Sequence, residues 1–326
     1  MRAVVISRPG GPGVLELRDV PEPAYGPEEV RVAVRATALN RADLLQRRGR
    51  YPAPPGAPAD IPGLEFAGEV ESRGERVVDL RPGDRVMGLL GGGGYAEKVS
   101  LHERMCLRIP PTLGWEEAAA VPEAFMTAFD ALFERGRLRP GGTVLLHAAA
   151  SGVGTAALQI AGVAGARAIA LSRSADKRRR LEEMGLTPVF DPASPGLAES
   201  IRAAAGGGVD LVVDLLGADA WGVNLEVLDT GGRIVLVGTV SGSRVEADLS
   251  LLMRKRLTVV GTVLRSRPIE EKIALARAFD RRVVPLLASG RLRPVIDRVL
   301  PLAAAAQAHA AMEANENFGK IVLRVD

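Results

Sequence analysis

The sequence predicts an α/β protein of two domains, one of them a doubly wound parallel sheet, and three observations predict it. Residues 143–174 read TVLLHAAASGVGTAALQIAGVAGARAIALSRS. That is an apolar strand (143–148), a tight turn of small residues, a helix from about Gly152 and a second apolar strand ending near Ser172, a βαβ unit. Further apolar strands at 209–216, 233–237 and 257–262 alternate with helix-like segments, as in a parallel sheet covered on both faces. Finally, 326 residues exceed one ordinary core, and residues 1 to about 122 have a different texture, with short strands cut by Pro and Gly.

In chain order, strands are expected at 3–6, 15–20, 30–38, 66–72, 84–90 and 94–100, a spacing that suits a small barrel-like β domain. One helix interrupts them, NRADLLQRR at 40–48, with Asn40 placed as N-cap and a Pro-rich loop following. From Trp115 the pattern turns helical, and Pro122 restarts the helix that leads into the βαβ unit. Beyond Pro268 a long helix (270–287) precedes a strand at 295–300, an Ala-rich helix and a last strand at 320–325.

The turn after the strand 143–148 carries the clearest chemistry. Laid on GxGxxG, residues 149–154 read AASGVG, so only Gly154 stays in frame. A strand before and a helix after make the turn a pyrophosphate site, because the first helical N–H groups lack partners and the helix dipole favours an anion. Ser151, Gly152, Val153 and Gly154 would hold it; the alternative is close core packing of small residues. The second strand ends in Ser172, Arg173 and Ser174, with Lys177 a turn later. Cations and hydroxyls suit a 2′-phosphate, so the cofactor expected is NADPH. Asp176 is placed in the next helix, with Ser174 as its N-cap.

Composition excludes other classes. The net charge is +3, and the only dense basic run, Lys177–Arg180, has no interleaved aromatics, so nucleic-acid binding is not favoured. A single cysteine, Cys106, excludes an intrachain disulfide and a cysteine-rich zinc site. The N-terminal residues lack an apolar h-region and no run approaches a membrane span, so a cytoplasmic protein is expected.

Seven blocks in order, GGPGVLEL (10–17), ALNRADLLQRRGRYPAPPG (38–56), GLEFAGEV (63–70), AAAVPEAFMTAFDAL (118–132), HAAASGVGTAALQ (147–159), LRSRP (264–268) and NFGKIVL (317–323), resemble the medium-chain dehydrogenase/reductase superfamily. The resemblance covers the whole chain and is to the zinc-free quinone oxidoreductases, above all the p53-inducible type. It implies a GroES-like catalytic domain (1–122 and 266–326) and a Rossmann NADPH-binding domain (123–265), with NADPH in the cleft and hydride passing to a quinone or activated enone. It also implies a homodimer formed through the strand near 257–262. Zinc members bring a Cys before the first helix and a His from GHExxG; here those positions are Asn40 and Leu64, and neither replaces a thiolate or imidazole. Rival readings are an enoyl-thioester reductase of the same fold and a non-catalytic NADPH-binding protein.

By resemblance, Asn40, Asp43, Tyr51 and Thr127 form the catalytic set. Asn40 and Asp43 could also be a helix N-cap and first-turn acid, two roles that can coexist with the functional one, and Tyr51, a donor for a quinone oxygen, could simply pack on the Pro-rich loop. Thr127 would face the nicotinamide, or bond its own helix. Arg41, Gly238, Leu264, Arg265 and Lys320 are further cofactor contacts; Arg265 is alternatively a surface ion-pair partner and Lys320 an ordinary strand-start lysine. His147 lines the cofactor site or is a packing element, whereas His102 and His309 read as surface. The family's Asn-Tyr pair after the third strand is replaced by Phe190-Asp191-Pro192, and Asp191 would repel a phosphate if it pointed inward.

Overall fold

Alternation over its first eight residues decides the longest strand. In EVRVAVRATA, β3 (Glu29–Ala38), Val30, Val32, Val34 and Ala36 are buried while Arg35 faces out. The computed structural model that contains it describes residues 1–186 and 188–325. Its chain divides into two units, Met1–Met126 with Leu264–Asp326, and Thr127–Val263.

In the first unit, β1 (Arg2–Ile6) and β2 (Leu15–Asp19) form an antiparallel ribbon. β3 pairs antiparallel with β4 (Glu65–Arg73), which pairs with β5 (Arg85–Leu89); β6 (Lys98–His102) also pairs with β3, and β7 (Leu107–Arg108) closes on β5. Helices α1 (Arg41–Arg47) and α2 (Trp115–Ala119) belong here, and α3 (Pro122–Phe129) crosses the division.

The second unit is a six-stranded sheet in which every pairing is parallel. Its strands are β8 (Thr143–Leu146), β9 (Arg167–Leu171), β10 (Val189–Phe190), β11 (Val209–Asp214), β12 (Leu228–Leu236) and β13 (Thr258–Gly261), in the order β10-β9-β8-β11-β12-β13. The chain winds outward in both directions from the β8/β11 pair, which is the switch point where ligands of such sheets bind. The intervening helices are α4 (Gly152–Val163), α5 (Ala175–Glu183), α6 (Leu197–Ala205), α7 (Trp221–Val227) and α8 (Leu249–Lys255). The core is made by Leu145, Ile169, Val212 and Ile234 from the strands with Ile201 and Leu225 from the helices.

The returning chain completes the first unit with α9 (Ile269–Arg282), α10 (Val284–Ala288), β14 (Ile296–Pro301), α11 (Ala305–Glu313) and β15 (Lys320–Arg324). β15 lies between β14 and β3.

Three expectations change. The helix expected over 270–287 is two helices, broken at Val283 because Pro285 has no N–H for an interior turn. The strand expected from Gly94 begins at Lys98, since Gly92 and Gly93 take φ of 156° and 88° and turn the chain first. His309, expected on a helix surface, is fully buried.

Candidate functional site

The turn from β8 to α4 holds Ser151 as N-cap, its hydroxyl oxygen accepting from Gly154 N at 3.0 Å. That leaves the hydroxyl hydrogen free to donate, beside the first-turn amides of Gly152 and Val153 that a helix cannot satisfy internally. A Cβ on Gly154 would lie 2.5 Å from Ala149 O, so this glycine permits the close approach of helix to strand. Ala148 sits at φ +47°, a left-handed conformation that costs an alanine about 1–2 kcal/mol and marks a strained turn. The turn fits a pyrophosphate.

At the end of β9 Ser172 is buried, Arg173 and Ser174 are exposed and Lys177 is partly exposed. Ser174 caps α5 as expected, and Asp176 pairs with Arg179 on the same helix. Asp191 does not stand as a free charge: Arg178 bonds its Oδ2 at 2.9 Å and also reaches the carbonyls of Ser172 and Arg173. The repulsion feared from Asp191 is thereby cancelled. In the sequence Arg178 is one of four consecutive basic residues, and nothing there marks it as the partner of Asp191. Gly238 follows β12, and a Cβ there would lie 2.9 Å from Leu215 O.

His147, just past β8, is held by a relay. Its Nε2 lies 2.7 Å from Asn224 Oδ1, and Asn224 donates to Asp214 Oδ2 at 2.9 Å. Burial keeps this imidazole neutral, with its pKa lowered. Its Nδ1 has no partner among the described residues. Thr127, on α3, is buried with its hydroxyl likewise unpartnered, so it does not bond its own helix.

The first unit gathers a polar cluster that local sequence hardly announces. Asn40 donates its carboxamide to Glu65 Oε1 (2.7 Å) and accepts from Lys320 Nζ (2.7 Å). Lys320 also donates to Glu65 Oε1 (2.6 Å) and Leu39 O (2.7 Å), so its ammonium makes three hydrogen bonds within this cluster. Glu65 Oε2 accepts from Glu123 N at 2.8 Å.

Asp43 lies beneath, fully buried, accepting from Asn40 N (2.8 Å), Gly63 N (3.1 Å) and the Tyr95 hydroxyl (3.2 Å). It supports Asn40 and is not itself open. Burial raises its pKa to about 6 despite those donors. Tyr95 OH also lies 3.2 Å from His309 Nε2, and Arg47 NH1 lies 3.1 Å from His309 Nδ1. Arg47 can only donate, so Nδ1 is the acceptor and Nε2 carries the hydrogen. The chain of donors runs Arg47, His309, Tyr95, Asp43. Burial, with the Arg47 charge, lowers the His309 pKa to about 3.

Arg265 is buried and bonds Gln46 Oε1 (2.6 Å), Gly91 O (2.7 Å) and Tyr51 O (3.2 Å), with its guanidinium 4.9 Å from the Tyr51 ring centre. It is therefore a support for Tyr51 and not a surface ion-pair partner. Tyr51 is partly exposed, and burial with the nearby Glu123 raises its phenol pKa, keeping it a donor. Leu264 is buried and Arg41 bonds Asn315 Oδ1 at 2.7 Å. Leu64 is buried next to Glu65, and among the described residues no group of three or more His, Cys, Asp or Glu side chains is arranged to hold a metal ion.

Two family profiles match, the alcohol dehydrogenase GroES-like domain over residues 26–111 and the zinc-binding dehydrogenases over residues 152–280. Over 99% of its length the chain is 33% identical to the synaptic vesicle membrane protein VAT-1 homolog of Mus musculus, covering 83% of that protein. Among solved structures, an NAD-dependent alcohol dehydrogenase is 35% identical with a TM-score of 0.88, each chain covered in full. The Escherichia coli quinone oxidoreductase complexed with NADPH is 27% identical with a TM-score of 0.88, over 99% of this chain and 100% of that one. The chain belongs to the medium-chain dehydrogenase/reductase superfamily, in its quinone oxidoreductase and VAT-1-like branch, and is an oxidoreductase of that family. NAD(P) binding is typical of that superfamily. No helix among the described residues is long and apolar enough to cross a membrane.

Proposed function

We propose that the chain is an NADPH-dependent, metal-free reductase of quinones or activated enones, in the manner of the p53-inducible quinone oxidoreductases. One observation carries this reading. The position that zinc members give to cysteine is Asn40, whose carboxamide is fully engaged by Glu65 and Lys320, so polarisation of an acceptor falls to hydrogen-bond donors. The Tyr51 phenol would donate to the acceptor oxygen, steadied by Arg265 against its ring.

Bound NADPH would supply the hydride. Ser151, Gly152, Val153 and Gly154 would take its pyrophosphate, and Ser172, Arg173, Ser174 and Lys177 its 2′-phosphate, with Arg178 holding Asp191 neutralised. Thr127 would turn its unpartnered hydroxyl, and Gly238 its bare backbone, to the nicotinamide. The edge strand β13, with Val259 exposed, would pair with a second copy to make a homodimer.

The test is oxidation of NADPH and of NADH followed at 340 nm with 1,2-naphthoquinone, for wild type and Arg173→Ala. Turnover that prefers NADPH, and loses that preference in the variant, supports the reading. Turnover of enoyl thioesters in place of quinones would move the acceptor class, and bound cofactor without turnover of either would leave only a binding protein.

A further inference from the structure

Reduction of a carbonyl or enone needs a proton as well as a hydride, and a positioned acid delivers it faster than bulk water does. The cluster around Lys320 contains one group with no structural occupation. Glu123, the second residue of α3, uses its backbone N–H on Glu65, but its own carboxyl makes no hydrogen bond or ion pair among the described residues. It is partly exposed, so it is not sealed away. Every other carboxyl of the cluster is committed: Glu65 to Asn40, Lys320 and Glu123 N, and Asp43 to Asn40 N, Gly63 N and Tyr95.

The charges that face Glu123 come from every neighbouring element: Asp43 from α1, Glu65 from β4, Arg265 from the segment after β13, Lys320 from β15, and Tyr51 from the loop after α1. Three carboxyls, Asp43, Glu65 and Glu123, thus share two cations, Arg265 and Lys320. The set is neutral only if one carboxyl keeps a proton. Asp43 accepts from three donors and Glu65 from three, whereas the Glu123 carboxyl accepts from none among the described residues.

We propose that Glu123 is the proton donor of the reaction, giving its carboxyl hydrogen to the acceptor oxygen that Tyr51 holds. This rests on the reductase reading. The acceptor gains a hydride, with its two electrons, from the dihydronicotinamide and a proton from Glu123. The O–H bond of the carboxyl breaks, an O–H bond forms on the acceptor, and the carboxylate regains a proton from water after product leaves. Burial, and repulsion from Glu65, raise the Glu123 pKa to about 8, so the donor form is populated at neutral pH.

Two measurements on the full-length protein test this. The first is infrared absorption of the carboxylic acid carbonyl against pH, in wild type and Glu123→Gln. A protonated-acid band that fades with a midpoint near 8, and is missing from the variant, is expected. The second is the pH profile of kcat/KM with 1,2-naphthoquinone and with an enone. Wild type should lose activity above the same midpoint. Glu123→Gln should lose roughly tenfold or more in kcat at pH 7, lose the alkaline limb, and keep its NADPH Kd.

Reduction that proceeds in Glu123→Gln at the wild-type rate with the same alkaline limb overturns the proton donor and leaves the reductase reading intact. Reduction of no acceptor by wild type, with the acid band present, overturns the reductase reading and the donor role with it.

Discussion

Lys320 Nζ lies 2.6 Å from Glu65 Oε1, and neither side chain reaches solvent to any useful extent. A buried pair of this kind gains little over apolar residues, but removing one partner strands the other charge. Lys320→Met should therefore destabilise the protein by about 3–5 kcal/mol, measured by urea unfolding at pH 7. It should also release the Asn40 carboxamide, and kcat should fall with it. An unchanged unfolding midpoint would show that Glu65 finds another partner.

Opposite pH trends are built around Tyr95. Asp43 is raised to about 6 from 3.8, so the folded state holds its proton more tightly and the group's contribution to stability falls as pH rises from about 4 to 6. His309 is lowered to about 3 from 6.5, so the unfolded chain takes up a proton first and stability falls as pH drops below 6.5. His309→Gln, although less stable at pH 7, should show a flatter decline between pH 6.5 and 4, where this one group costs up to about 1.4 kcal/mol per pH unit in wild type. Urea unfolding across that range decides it; parallel curves for the two proteins would remove His309 from the account.

Arg178→Ala should expose the Asp191 carboxylate beside the segment 172–177. The KM for NADPH should rise roughly tenfold while that for NADH changes little, because only the 2′-phosphate meets the freed charge. Equal shifts for both cofactors would mean that Arg178 acts through the shape of the β9 end.

Gly154→Ala places a methyl 2.5 Å from Ala149 O and 2.6 Å from Ala148 O, so α4 has to withdraw from the turn. NADPH binding, measured by fluorescence titration, should weaken by roughly tenfold or more, with a lowered Tm. Ser151→Ala keeps the backbone path and removes the cap, at about 1 kcal/mol of stability and a smaller loss of affinity.

Local pattern made much of this molecule legible. The βαβ unit could be read because strand period, small-residue turn and helix start follow one another within Thr143–Leu171, and Ser174 announced its own helix. Asn40, Tyr51 and Thr127 are candidates on motif resemblance alone. The partners that define them are not legible in that way. Glu65 and Lys320 are 255 positions apart, and Arg47 and His309 are 262 apart, so no window of sequence joins them. His309 sits in an Ala-rich helix whose weak apolar stripe does not reveal which face is buried. Nothing in the local pattern singles out Glu123, since only the fold brings Glu65 and Asp43 beside it.

The placement of β15 has a consequence for how the chain is made. This strand is inserted between β14 and β3, and it carries Lys320 into a cluster whose other members lie at or before Glu123, or just after the second unit. The second unit is one uninterrupted stretch, Thr127–Val263, and leaves the ribosome complete. The first unit at that moment has an unpaired edge on β3 and a buried glutamate with no counter-ion, and it waits for residues 320–324. A product stalled before residue 320 would thus hold a finished parallel sheet attached to a first unit still open to chaperones and proteases.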